Sequence, residues 1–128
     1  MANPNIVNVA AIYGNTSTTL ISSTADPFAT ALVNNAASSG KVYKINSIVV
    51  ANVDGTSAVD ITIKIFGQDD LGGTGTAIAS TISVPADATL IVTDKTTSFY
   101  LLEDKSIGAT ASAANDAVVT ISWEEINA

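Results

Sequence analysis

The stretch VVANVDGTSAVDITIKIFG, residues 49–67, places alternating apolar and polar side chains on both sides of a turn signal. The alternation after the turn predicts a half-buried antiparallel strand whose apolar face consists of Val59, Ile61, Ile63 and Ile65. Residues 41–53 alternate in the same manner before the turn, with one face formed by Tyr43, Ile45, Val49, Ala51 and Val53. The short connection DGTS joins the two strands and predicts a β-hairpin.

The second face of residues 41–53 is not simply polar. Apolar Val42, Ile48 and Val50 share it with Lys44, Asn46 and Asn52. An apolar surface of this kind is covered in part by another element of the fold, such as a loop or a second sheet, or by another subunit. The alternation alone leaves both readings open.

Turn signals divide the rest of the chain into further short strands. The composition agrees, because 16 Thr, 14 Ile and 12 Val stand against 6 Leu, and β-branched side chains favour pleated strands. The remaining predicted strands are Asn5–Tyr13, Ser17–Ser22, Phe28–Val33, Ala77–Val84, Ala88–Thr93, Phe99–Leu102, Ser106–Ala113 and Ala117–Ile126. We therefore predict a single all-β domain over residues 1–128, an antiparallel β-sandwich or jelly roll of about 8 to 10 strands.

Two further features of this fold are predicted from local sequence. Trp123, the sole indole, shares a strand face with Val119 and Ile121 and is expected to anchor the core, with a place in an interface as the alternative. The longest expected loop is DDLGGTGT, residues 69–76, which we predict to be the most mobile element.

The composition excludes several classes of chemistry. The chain has no Cys and no His, so disulfides, thiolate catalysis and the usual zinc ligands are missing. It carries 12 acidic residues against 5 basic ones, for a net charge of −7, which disfavours binding to nucleic acid phosphates. No apolar span is long enough for a membrane, and the start, MANPNIVNVAAIYG, lacks an export signal.

Candidate reactive groups are few. Paired carboxylates occur at Asp69-Asp70, Glu103-Asp104 and Glu124-Glu125, but neighbouring strand residues point apart and a solvated surface explains these pairs best. Asp69 and Asp70 lack the spacing of a calcium loop. The five Lys side chains are expected to be solubilising and to protect strand edges. We therefore expect no catalytic residues, no metal ligands and no cofactor.

Two long segments carry a resemblance to a known family. NNAASSGKVYKINSIVVANVDGTSAVDITIKIF, residues 34–66, and TISVPADATLIVTDKTTSFYLLEDKSIGATASAANDAVVTISWEEI, residues 81–126, resemble small virion structural proteins of tailed bacteriophages, especially phages of cyanobacteria and other marine bacteria. The likeness extends to the MANPNIVNV start. The turn LEDKS, residues 102–106, lacks the Gly that such relatives often have there, and the DDLGGTGT loop is longer than expected.

The resemblance implies a nonenzymatic particle component, with capsid decoration as the first expectation. Such a cement protein would bind the major capsid protein on the capsid exterior, after synthesis in the host cytoplasm, and would act as a homotrimer. Its first strand would pair with a neighbouring subunit or the capsid, or stay within its own sheet. The alternatives are a tail or neck component and a carbohydrate-binding or adhesin module, which would need an exposed aromatic platform including Phe66 or Tyr100.

Overall fold

The computed structural model describes residues 4–22, 24 and 31–127. Within them lie nine strands and one turn of 3₁₀ helix, Lys95–Thr97. The strands are β1 (Ala11–Leu20), β2 (Val33–Asn35), β3 (Lys41–Asn52), β4 (Val59–Phe66), β5 (Gly75–Val84), β6 (Thr89–Thr93), β7 (Phe99–Leu101), β8 (Lys105–Ala111) and β9 (Ala117–Asn127). The first half of the predicted strand Phe28–Val33 lies outside the described residues, and its last residue begins β2.

Two antiparallel sheets form the fold. The large sheet has the order β1-β9-β3-β6, with β7 beside β6 on the same edge of β3, and the small sheet has the order β2-β8-β4-β5. β6 and β7 together form one interrupted edge strand. When they are counted as one strand, the two four-stranded sheets have the strand order of a jelly roll. The predicted all-β sandwich of about 8 to 10 strands is confirmed.

The predicted hairpin between residues 41–53 and 59–65 is wrong. β3 lies in the large sheet and β4 in the small one, so residues 53–58 cross from one layer to the other. Alternating apolar residues indicate only that each strand buries one face. Two strands that face the same core from opposite sheets show this pattern as well as two strands paired in one sheet do. The true neighbours of β3 are β6, β7 and β9.

A β-bulge in β3 explains why both of its faces are apolar. The pairing of β3 with β9 slips between Ile45 and Ser47, so the extra residue reverses which side chains face the core. Ile45 is buried before the bulge, whereas Ile48 and Val50 are buried after it. The expected continuous face through Val49 is therefore wrong, and the second sheet covers part of the opposite face.

The first strand also differs from the expectation. The predicted strands Asn5–Tyr13 and Ser17–Ser22 are one strand, β1, whose ten residues each pair with a residue of β9. Gly14 and Asn15 favour a turn but are extended here. The residues before and after them are paired with β9, and this pairing overrides their local preference. Residues 4–10 form turns instead, where the Asn5 side chain accepts a hydrogen bond from the Val7 N–H at 3.0 Å.

The core lies between the sheets and consists largely of β-branched side chains. Its largest fully buried members are Ile45, Ile48, Ile61, Ile63, Leu101, Ile107 and Ile121. One face of β8 carries mostly small side chains, since Ala109 and Ala111 are buried beside Ile107. Small residues there allow the opposite sheet to pack closely against β8.

Two buried asparagines connect the sheets at opposite ends of β3. At one end, the Asn35 amide donates to the Lys41 and Leu101 carbonyls at 3.0 and 3.1 Å, and its oxygen accepts from the Ser39 hydroxyl. Asn35 belongs to β2 of the small sheet, and both carbonyls belong to the large one. This side chain therefore fixes the segment NNAASSG, residues 34–40.

The second asparagine repeats this arrangement at the other end. The Asn52 amide donates to the Ser57 and Val84 carbonyls, both at 2.9 Å, and its oxygen accepts from the Asp54 N–H. Each buried amide thus has three partners, which offsets its loss of water. We call Asn35 and Asn52 the two asparagine clamps.

Candidate interaction surface

The paired carboxylates do not form a reactive pair. Glu124 and Glu125 lie on opposite faces of β9, as expected for neighbouring strand residues. Asp69 accepts from the Ala37 N–H at 2.9 Å, and the Asp70 carboxylate accepts from the Asn34 amide at 2.8 Å. These hydrogen bonds join separate segments of the chain, so both carboxylates have structural contacts.

The third pair departs from the solvated surface that the sequence predicts. Glu103 is buried, with 5% of its surface exposed, and accepts from the Gly40 N–H at 3.0 Å. Asp104 accepts from the Asp69 N–H at 3.1 Å. Because a buried carboxylate needs donors in place of water, Glu103 braces the turn that follows the first asparagine clamp. Among the described residues, no three acidic side chains converge in a way that could hold a metal ion.

The predicted mobile loop is tied to its neighbours along its length. Its irregular part covers residues 67–74, since Gly75 already belongs to β5. The Asn34 oxygen accepts from the Asp70 N–H, and the Ser106 hydroxyl bridges the Leu71 N–H and the Gln68 carbonyl. Lys105 donates to the Gly67 carbonyl at 3.0 Å. These contacts to β2 and β8 oppose the mobility that the Gly-rich sequence suggests.

The aromatic side chains do not form the predicted platform. Phe66 is buried, at 6% exposure, and its ring occupies the place that a side chain at Gly75 would need, with a ring carbon 2.8 Å from that Cβ position. Tyr100 is 45% exposed and lies beside Lys44 on the outer face of the large sheet. The two candidate platform residues therefore belong to different sheets and do not stack.

Trp123 packs against the margin of the core, as predicted, and stacks on Tyr43 with ring centroids 6.2 Å apart. Its Nε1 is buried and has no hydrogen-bond partner in the part of the chain that the structure describes. Both rings lie on the inward side of the large sheet, next to Glu125. No local sequence signal reveals this group, because its members meet only through the register of three strands.

An ion pair lies beside these aromatic rings. Lys41 donates to the Glu125 carboxylate, which also accepts from the Asn15 amide at 2.9 Å. The hydrogen bond and charge of Glu125 raise the pKa of Lys41 above its ordinary value. Burial, followed by the same negative charge, raises the pKa of Tyr43. Lys41 is thus held by a specific partner and is not only a solubilising charge.

These two shifts predict that the protein loses stability at alkaline pH. Both groups hold their protons more tightly in the folded than in the unfolded state, so their stabilisation is complete at neutral pH and is lost above about pH 10. Urea midpoints should therefore fall between about pH 8 and pH 11. Glu125→Gln should make this fall shallower, whereas Glu124→Gln on the opposite face should not. If the urea midpoint falls equally steeply with pH in both variants, the assignment of these pKa shifts to Glu125 is contradicted.

The outer face of the large sheet is broad and nearly free of charge. Residues that pair across neighbouring strands point to the same face of the sheet. The side chains of this face therefore form rows that cross the strands. The rows are Leu20–Val118–Ala51–Thr89, Thr18–Thr120–Val49–Ile91, Thr16–Ser122–Ser47, Gly14–Glu124–Lys44–Tyr100 and Ile12–Ile126–Val42. The paired strands contribute one Lys and one Glu here, opposite each other, so this face is close to neutral in a chain of net charge −7.

Several apolar side chains of this face are exposed to solvent. Ile12, Leu20 and Ile91 are 57%, 48% and 64% exposed. At one end, Pro4 and Ile6 of the leading segment line a shallow depression of about 170 Å³ over Val42, which is buried. Exposed isoleucine and leucine side chains on a broad, nearly neutral face are typical of an interaction surface.

Three aspartates lie together at one end of the sandwich. Asp54, Asp87 and Asp116 occupy three loops there, where the Asp87 N–H donates to the Asp54 carbonyl and the Val53 N–H donates to the Asp116 carbonyl. None of these loops, residues 53–58, 85–88 and 112–116, contains a lysine. At the opposite end, Lys41 and Lys105 are accompanied by acidic side chains, namely Asp69, Asp70, Glu103 and Asp104. We call the lysine-free end the acidic end.

Comparison with known proteins gave no assignment. No family model matches the chain, and no curated protein matches it. No helix in the described part of the chain is long and apolar enough to cross a membrane.

Proposed function

We propose that this chain is a nonenzymatic virion structural protein of a tailed bacteriophage. In this proposal it is a decoration, or cement, protein that binds the outside of the shell built by the major capsid protein. The observation that carries the proposal is the outer face of the large sheet, which is broad, nearly neutral and partly apolar. A strand layer of this kind offers a wide contact whose shape is fixed before binding.

The rest of the molecule suits this task. The two asparagine clamps tie both sheets together at each end of β3, and the braced loop at residues 67–74 adds further links. A rigid body loses little conformational entropy on binding and can transmit load between neighbouring capsid subunits. A shell also repeats its binding site many times, so modest contacts add up if the protein is oligomeric.

The charge distribution favours the exterior of the shell over its interior. A chain of net charge −7 is repelled by packaged DNA, and the described part of the chain has no cluster of lysines to offset that repulsion. Docking through the neutral face would leave the acidic loops in solvent, where they cost no desolvation energy.

The direct test is binding of the recombinant protein to undecorated shells of the phage that encodes it. At native ionic strength we expect saturable co-sedimentation and greater resistance of the decorated shells to heat. Ile91→Asp replaces the most exposed isoleucine of the docking face, on its β6 side, with a charge and should weaken binding by about tenfold or more. Ile78→Asp makes the same change on β5 of the other sheet, where Ile78 is 39% exposed, and should leave binding unchanged.

Two results would contradict the proposal. Absence of co-sedimentation at native ionic strength would remove the capsid as partner, and detection of the protein only in purified tails would favour the tail or neck alternative. If wild type binds and both aspartate variants bind equally well, the capsid assignment stands but the docking face is wrong.

A further inference from the structure

The four exposed sheet edges of this sandwich are not protected equally. Natural sheets prevent edge-to-edge association with short edge strands, bulges, charged side chains or proline. β2 is three residues long. β5 departs from regular pairing with β4 at two places and contains Thr81 at a φ of 51°. β6 and β7 are short and are separated by the 3₁₀ turn that carries Lys95.

β1 has none of these devices. It is ten residues long, AIYGNTSTTL, with no charged residue and no proline, and its pairing with β9 continues without a register shift. Within the described residues, no strand pairs with its other side. A long, regular and uncharged edge of this kind is a template for addition of another strand.

The backbone groups that face this open edge can be identified. The Ile21 N–H binds the Ala117 carbonyl, and the pairing continues from there in register. Hydrogen-bonded pairs alternate along an antiparallel ladder, so odd-numbered residues of β1 bond to β9. The even-numbered residues, Ile12, Gly14, Thr16, Thr18 and Leu20, direct their N–H and carbonyl groups toward the open edge.

We propose that the strand added at this edge is β1 of a second copy, related by a two-fold axis at Thr16. The contact must pair even-numbered residues with even-numbered residues, because only these direct backbone groups away from β9, and no strand of the described chain bonds to them. An axis at Thr16 pairs Ile12 with Leu20 and Gly14 with Thr18, and all these positions lie within β1. The large sheets of two copies then form one continuous sheet.

The side chains of β1 are self-complementary in this register. Ile12 and Leu20 are the two exposed apolar residues on the outer face of β1, and the axis brings each against the other. The remaining pairs on that face are small or hydroxyl-bearing. No like charges meet, which matters because two copies of net charge −7 repel each other over most of their surface. Salt should therefore strengthen this dimer by screening that repulsion.

A first test measures the molar mass by sedimentation equilibrium over a range of concentrations, without capsid shells. We expect a dimer whose population rises with concentration and with salt. Thr16→Lys would oppose two ammonium groups across the axis and should shift the equilibrium to monomer. Thr76→Lys is the matched control, because Thr76 is an exposed strand residue on β5. Urea unfolding should show that both variants remain folded.

A second test reports the register, and the absence of native cysteine makes it clean. Hydrogen-bonded antiparallel partners lie about 5.5 Å apart between Cα atoms, within the range of a disulfide. Thr16→Cys should therefore form a covalent dimer under mild oxidation, whereas Thr76→Cys should not. A mixture of Ile12→Cys and Leu20→Cys chains should give the mixed dimer in excess over either self-dimer.

Three outcomes would overturn the proposal. These are a monomer at all concentrations tested, an association that Thr16→Lys does not affect, and a trimer such as the phage resemblance implies. A two-fold contact between identical strands closes after two copies and cannot generate a trimer by itself. Since shells are absent from both tests, failure here leaves the proposed capsid binding standing, and failure of capsid binding leaves the dimer standing.

Discussion

Asn52→Ala is expected to lower the free energy of unfolding by about 2–4 kcal/mol, a large part of the stability of a domain of this size. The truncation removes the donor for the buried Ser57 and Val84 carbonyls and the acceptor for the Asp54 N–H. Groups buried without a partner pay their full desolvation cost, of which a water molecule in the cavity left by the amide would restore only a part.

Asn35→Ala should have an effect of the same size, because its amide has the same number of partners. The clamps lie at opposite ends of β3, about 35 Å apart by strand rise, so their effects should add in the double variant. The measurement is the urea midpoint at an unchanged m-value. Asn8→Ala, at an exposed turn residue, is the matched control and should shift the free energy by less than about 0.5 kcal/mol.

The clamp assignment has a clear contrary result. If Asn52→Ala and Asn8→Ala have equal midpoints, the buried amide contributes nothing beyond its exposed counterpart. A large loss for one clamp and none for the other would mean that only one end of the sandwich depends on this bridge.

The second large effect tests the bulge in β3. Ile48→Ala should destabilise the protein by about 3–4 kcal/mol, because Ile48 is fully buried and its truncation leaves a cavity between the sheets. The adjacent valines supply a matched pair for the same substitution. Val50→Ala should cost about 2–3 kcal/mol, whereas Val49→Ala, on the partly exposed outer face, should cost less than about 1 kcal/mol.

Without the bulge, the order of the two valines would be reversed. Simple alternation from Tyr43 and Ile45 places Val49 in the core and Val50 outside it. Urea unfolding of the two variants therefore decides whether β3 contains the bulge. With the bulge, Val50→Ala is the more destabilising substitution, and without it Val49→Ala is.

The comparison of sequence with structure shows which kinds of information each strand carries. Alternation and composition located β3 to β9 within about two residues, because a strand with one buried face shows period two in its own sequence. The partner of a strand is not encoded in that period. β3 and β4 therefore read as a hairpin although they lie in opposite sheets, and the inserted residue at position 46 was invisible without the register against β9.

The same limit applies to the candidate interaction surface. The sequence revealed that residues 41–53 had an excess of apolar side chains, but the outer face emerges only when the rows of β1, β9, β3 and β6 are aligned. In the sequence, Asn35 belongs to the run of small residues NNAASSG, and Asn52 shares a strand face with apolar side chains. Their burial depends on carbonyls distant in sequence, Leu101 and Val84, so no local signal distinguishes them from exposed asparagines.

The acidic end has a consequence for crowding between copies of the protein. Asp54, Asp87 and Asp116 lie together in three loops without a lysine. Like charges in solvent repel each other over about a Debye length, roughly 8 Å at physiological salt. Copies that present these ends to each other should therefore keep their distance in dilute buffer and approach more closely as salt is added.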